Sequence, residues 1–164
     1  KMTRAAAEYE GPVYMRILRN DVPDVTDEKQ EFEIGRPTVI RPGTDVVVFV
    51  HGYMVYKSLK AAETLEKKGV SVRIVNVSTL KPIDEKAIRK LAAGVKGVVT
   101  VEEHTIIGGL ASAVAFALRG QALPLEAVAI QDCFGQSALN YERLLEHYGL
   151  TDAAVVKAVK KVLR

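Results

Sequence analysis

One cysteine, Cys133, is all that this 164-residue chain contains, which excludes an internal disulfide and makes a reducing compartment, the cytoplasm, the expectation. Long apolar runs are missing as well. Val46 to Val50 and Leu110 to Leu118 fall far short of the ~20 residues that a membrane-spanning helix needs, and no signal-peptide pattern opens the chain. Neither sign of charge dominates. The formal net charge is +3, and the densest basic stretch, Lys157 to Arg164, interleaves its cations with valines at helical spacing, which marks a solvated helix face and speaks against nucleic-acid binding. Absent too are the G-x-G-x-x-G and G-x-x-x-x-G-K-S/T patterns, so neither dinucleotide nor P-loop recognition is indicated, and no Ser-His-Asp set can be assembled.

What is present is a globular composition, 48% hydrophobic and 26% charged, long enough to bury one core without metals or disulfides. Met2 to Tyr9 is Ala-rich and reads as the end of a helix, so the chain is expected to begin within a larger protein. Gly11-Pro12 stops that helix, and the β-branched and apolar residues of Val13 to Leu18 predict a strand. Asn20 to Glu31 is polar and aperiodic and reads as a linker between two packed units. Phe32 to Ile34 and Thr38 to Ile40 predict short β segments, and Arg41-Pro42-Gly43-Thr44-Asp45 a turn, giving a hairpin-like approach to a sheet.

A mostly apolar, β-branched run followed by an amphipathic helix then occurs three times. Val46 to Val50 precedes a helix carrying Val55, Leu59 and Ala62 and closed by Lys67-Lys68-Gly69. Val72 to Val77 precedes a helix with Asp84 as N-cap and Ile83 stapled onto Ile88. Gly97 to Val101 precedes a helix from about Gly109 to Leu118, so rich in Ala that a neighbouring element must approach it closely. Strands apolar on consecutive residues are buried on both faces, and the helices between them supply the crossovers of a parallel sheet, so a three-layer α/β/α sandwich is predicted. Glu126 to Ile130 adds a strand, and Asn140 to Tyr148 and Thr151 to Leu163 add helices separated by Gly149.

Functional groups of open α/β sheets gather at the carboxyl ends of strands, which draws attention to Glu102-Glu103-His104. Consecutive loop residues point in different directions, so a structural or interface hydrogen-bonding part is favoured over a metal or acid-base one. Gly108-Gly109 opens a helix whose N-terminus could hold an anion, although close backbone packing is the simpler reading. His51 reads as a loop hydrogen-bonder and Cys133 as an inert, partly buried thiol. Arg16 and Arg19 read on composition as surface ion-pair formers, though Arg is the side chain best shaped for phosphate.

Three stretches together resemble the C-terminal part of transketolases: Gly11-Pro12-Val13-Tyr14-Met15-Arg16-Ile17-Leu18-Arg19 with Val22-Pro23; Thr100-Val101-Glu102-Glu103-His104 with Gly108-Gly109; and Asp132-Cys133-Phe134-Gly135-Gln136-Ser137 with Tyr148-Gly149-Leu150-Thr151. Lys81-Pro82-Ile83-Asp84 fits the same family, in particular its stand-alone C-terminal subunits. Deoxyxylulose-phosphate synthase and the β subunit of 2-oxo-acid dehydrogenases, where this domain would dock a partner, are more distant matches. The resemblance implies a five-stranded mixed, mostly parallel sheet whose first strand is antiparallel. It implies that residues 1–22 end a middle, pyrimidine-binding domain, 23–31 are a linker and 32–164 form the C-terminal domain. The activity implied is transfer of a two-carbon ketol unit between sugar phosphates by a thiamine-diphosphate-dependent enzyme with a divalent cation (Mg or Ca). The cofactor would lie on an N-terminal portion or subunit and none on this chain, which would support a homodimer and be inactive alone. The resemblance places Arg19, and more weakly Arg16, at the substrate phosphate, and Glu102, Glu103, His104, Gly108 and Gly109 at or near subunit packing. His51 and Ala138 depart from the family pattern.

Overall fold

A computed structural model describes residues 1–164. Helix α1 (Met2–Glu8) comes first, and residues 9–37 then carry neither helix nor strand. The rest alternates: β1 (Thr38–Arg41), β2 (Val46–Val50), α2 (Met54–Glu66), β3 (Val72–Asn76), α3 (Glu85–Ala92), β4 (Gly97–Thr105), α4 (Leu110–Ala117), β5 (Leu125–Ile130), α5 (Tyr141–His147) and α6 (Asp152–Val162). The sheet is five-stranded in the order β1-β3-β2-β4-β5, and all neighbours are parallel except β1 with β3. This is the sandwich that the apolar runs predict.

The valine runs build it because successive side chains of a strand point to opposite faces. Val46, Val48 and Val50 enter a core shared with Leu65 of α2 and with Val155 and Val159 of α6. Val47 and Phe49 enter the other core, against Ile88 of α3 and Val114 of α4. Every residue of β2 is buried. Helix starts follow the capping residues: Asp84, Asn140 and Thr151 accept the backbone N–H of Ala87, Arg143 and Ala154. Gly69 and Gly149 adopt positive φ, and the following N–H groups of Val70 and Leu150 reach back to Leu65 and Leu145, closing α2 and α5.

Four expectations are corrected. Val13 to Leu18 is not a strand, because no strand of this chain lies beside it and a ladder needs a partner. Phe32 to Ile34 is likewise turn and coil. The approach to the sheet is not a hairpin, since β1 skips β2 and pairs antiparallel with β3. Cys133 is exposed, since β5 ends at Ile130 and Asp132, at φ 45°, turns the chain outward into coil.

Candidate functional site

The carboxyl ends of β2 and β4 meet the N-terminus of α4, and most of the sequence-selected residues gather there. Glu102, Glu103 and His104 lie inside β4, not after it. The ladder is irregular at this point, for β4 advances from Val101 to Thr105 while β5 advances only from Val128 to Ile130. Such irregularities re-aim side chains. Here they send Glu102 inward, at 0% exposure, and Glu103 to the partly open side.

Glu102 is the hub of the inner half. Its Oε2 accepts the backbone N–H of Leu110 at 2.6 Å and its Oε1 that of Ala111 at 2.8 Å, so the first free donors of α4 close on a carboxylate from the adjoining strand. The glycine before the helix makes room for it. A Cβ on Gly109 would stand 2.1 Å from Glu102 Oε2 and 2.9 Å from His104 Nδ1, which explains glycine at this position by close approach. The anion site that a Gly-opened helix offers is therefore filled from within the chain.

His51, at the end of β2, places Nε2 4.0 Å from Glu102 Oε2, and His104 Nδ1 stands at the same distance from that oxygen. The expected loop hydrogen bond is not made: His51 Nε2 is buried without a partner. Burial holds the His51 imidazole below its usual range, aided by Arg16 and His104 and opposed by the Glu102 carboxylate. His104 is half-exposed and its Nδ1 lies 2.9 Å from the carbonyl oxygen of Thr105.

The outer half is a chain of contacts from residues 9–37 to α2. Arg16 Nη1 donates to the Glu103 carbonyl at 3.1 Å, and its Nη2 lies 3.6 Å from Glu103 Oε1. Glu103 Oε2 accepts the Tyr141 hydroxyl at 2.7 Å. Tyr141 meets Tyr53 edge-on with ring centres 5.3 Å apart, and Tyr53 and Lys57 both end on the Glu142 carboxylate. Burial and Glu142 push the Tyr53 phenol up to about 12, and burial with Glu103 raises Tyr141 too. Lys57 and Tyr53 hold the Glu142 carboxyl below its usual range. Sequence reasoning missed Tyr53, Lys57, Tyr141 and Glu142, whose partners are too distant in the chain for local spacing to reveal.

Arg19 is exposed and makes no hydrogen bond or ion pair within the chain, three residues beyond the paired Arg16. An open cleft of about 830 Å³ is lined by Arg36, Arg73, Pro82 and Lys90 among others and shares no residue with this site. No three His, Cys, Asp or Glu side chains are grouped to hold a metal ion. No helix is long and apolar enough to cross a membrane.

Residues 35–155 match the family model described as transketolase, C-terminal domain. Among curated proteins the chain is 39% identical over 155 residues to a 6-deoxy-6-sulfo-D-fructose transketolase subunit of Clostridium sp. strain MSTE9, covering 94% of this chain and 48% of that protein. It is 38% identical over 165 residues to a putative transketolase C-terminal section of Methanocaldococcus jannaschii, covering 98% of this chain and 51% of the relative. A solved structure described as a split gene transketolase, inactive beta4 tetramer, superposes with a TM-score of 0.93 at 45% identity, covering 99% of this chain and 53% of that one. The chain thus spans about half the length of these relatives. It belongs to the transketolase family, of which it forms the C-terminal section.

Proposed function

We propose that this chain completes a thiamine-diphosphate-dependent transketolase that moves a two-carbon ketol unit between sugars bearing a terminal anion. Residues 1–22 end the middle domain, 23–31 link, and 32–164 form the C-terminal domain. The observation that carries the reading is Glu102 at the α4 N-terminus. A diphosphate does not fit there, because a carboxylate already takes both backbone donors and would repel it. In this reading thiamine diphosphate and its divalent cation (Mg or Ca) are held by an N-terminal portion or subunit, and no step of the chemistry falls to side chains of this chain.

Its own contributions are recognition and assembly. The names of two relatives specify a 6-sulfo sugar and apulose 4-phosphate, substrates that each end in a tetrahedral anion. Arg19, exposed and unpaired, has the planar donor fork that suits such a group, and is assigned to it. Arg16, the second candidate, has its guanidinium engaged by Glu103. Exposed apolar side chains, Tyr14, Ile107, Phe134 and Leu139, are available for burial against the N-terminal portion or a second copy in a homodimer.

Mixing the chain with the N-terminal portion, thiamine diphosphate and Mg is expected to give ketol transfer that neither part gives alone. In that assembly Arg19→Ala should raise KM for a phosphorylated donor by about 10- to 100-fold, the loss of one charge-assisted contact, and spare an unphosphorylated one. Turnover by the isolated chain would refute the division of labour. An equal loss on both donors would refute the assignment of Arg19.

A further inference from the structure

With neither helix nor strand in residues 9–37, side-chain contacts must set the path of this arm over the domain. Near Arg19 the contact is Arg16, doubly bound to Glu103 through the carbonyl and the carboxylate. Glu103 is itself held, since its second carboxylate oxygen accepts the Tyr141 hydroxyl and Tyr141 is backed by Tyr53. The grip thus passes from the arm through β4 to α5 and α2, all parts of the packed domain. Three residues of extended chain, ~10 Å at most, separate Arg16 from Arg19. A shift at Arg16 therefore carries over to Arg19, and a bidentate contact tolerates only ~0.5 Å.

We propose that Glu103 is a positioning residue: by holding Arg16 it fixes the stretch that bears Arg19, and so sets the preference for a substrate ending in phosphate or sulfonate over an uncharged one. The use made of Arg19 rests on the proposed function; the grip on the arm does not.

Glu103→Gln keeps an acceptor for Tyr141 and removes the charge facing Arg16. In the assembly with the N-terminal portion, KM for fructose 6-phosphate is expected to rise about fivefold, the ratio that corresponds to about 1 kcal/mol of ion pair. Its kcat, and KM for unphosphorylated fructose, stay unchanged. Arg16→Gln, which loses the carbonyl contact as well, gives at least that rise, and adding Glu103→Gln to it changes nothing further. A matching loss on fructose, or no change for fructose 6-phosphate, overturns the inference. Should the wild-type assembly transfer no ketol unit at all, the proposed function falls and the grip is decided on the chain alone. Tryptic cleavage after Arg19 is then expected several-fold faster in Glu103→Gln at an unchanged melting temperature, and an unchanged cleavage rate overturns it.

Discussion

Replacing Glu102 by Gln changes one atom in a side chain with 0% exposure and tests what that carboxylate does. The native group accepts two backbone N–H groups, at 2.6 and 2.8 Å, from the first turn of α4. Glutamine can accept only one of them and must turn its NH₂ toward the other, setting donor against donor. An unsatisfied buried N–H costs about 1–3 kcal/mol, and losing a negative charge at a helix N-terminus adds about 0.3–2 kcal/mol. Together the variant should lose about 2–4 kcal/mol, or about 5–15 °C of melting temperature for a domain of this size. The chain has no tryptophan, so urea unfolding is followed by far-ultraviolet circular dichroism. Glu126→Gln is the control: it removes a 2.7 Å ion pair to Lys161 whose members are both partly exposed, expected to contribute at most about 1 kcal/mol. If Glu102→Gln is no less stable than that control, the carboxylate does not cap α4, and the argument that the helix end is closed to a diphosphate fails with it.

Two further outcomes test the packing and the buried imidazole. A Cβ on Gly97 would stand 2.6 Å from Val162 Cβ and 2.7 Å from its Cγ2, so Gly97→Ala should destabilise by about 1–3 kcal/mol, and Val162→Ala in the same chain should recover part of that; additive losses in urea unfolding would refute the contact. His51 has a folded-state pKa below 6.5, so the unfolded chain binds the extra proton and stability is complete above about pH 6.5 and lost as pH falls through it toward the folded value. His51→Leu should flatten the stability profile between about pH 7 and 5, and an unaltered slope would assign the acid sensitivity to other groups.

Local signals made most of the architecture legible. The valine run at 46–50 reads as a strand buried on both faces, as it is, the β-branched stretch 72–77 as a strand, and Asp84, Asn140 and Thr151 mark helix starts that their side chains do cap. Local signals also misled where a partner was needed: Val13 to Leu18 has strand composition, but composition supplies no neighbour to pair with. The site was half legible. Glu102, Glu103 and His104 were found by position, yet the fully buried Glu102 was not told apart from the half-open Glu103, because the irregular ladder of β4 with β5 decides which way each faces. A glutamate eight residues before the helix that a glycine pair opens was the available clue to the cap. The contact of Tyr141 with Glu103 spans 38 residues and left no trace in local pattern.

The placement of β2 has a consequence for how the domain comes apart. Its odd and even side chains belong to opposite cores, and its two edges are bonded to β3 and β4. Neither helical layer can peel away with the central strand left in place without stripping either Val46, Val48 and Val50 or Val47 and Phe49 into water. The two layers are therefore expected to melt together, and a second transition in thermal unfolding would refute this.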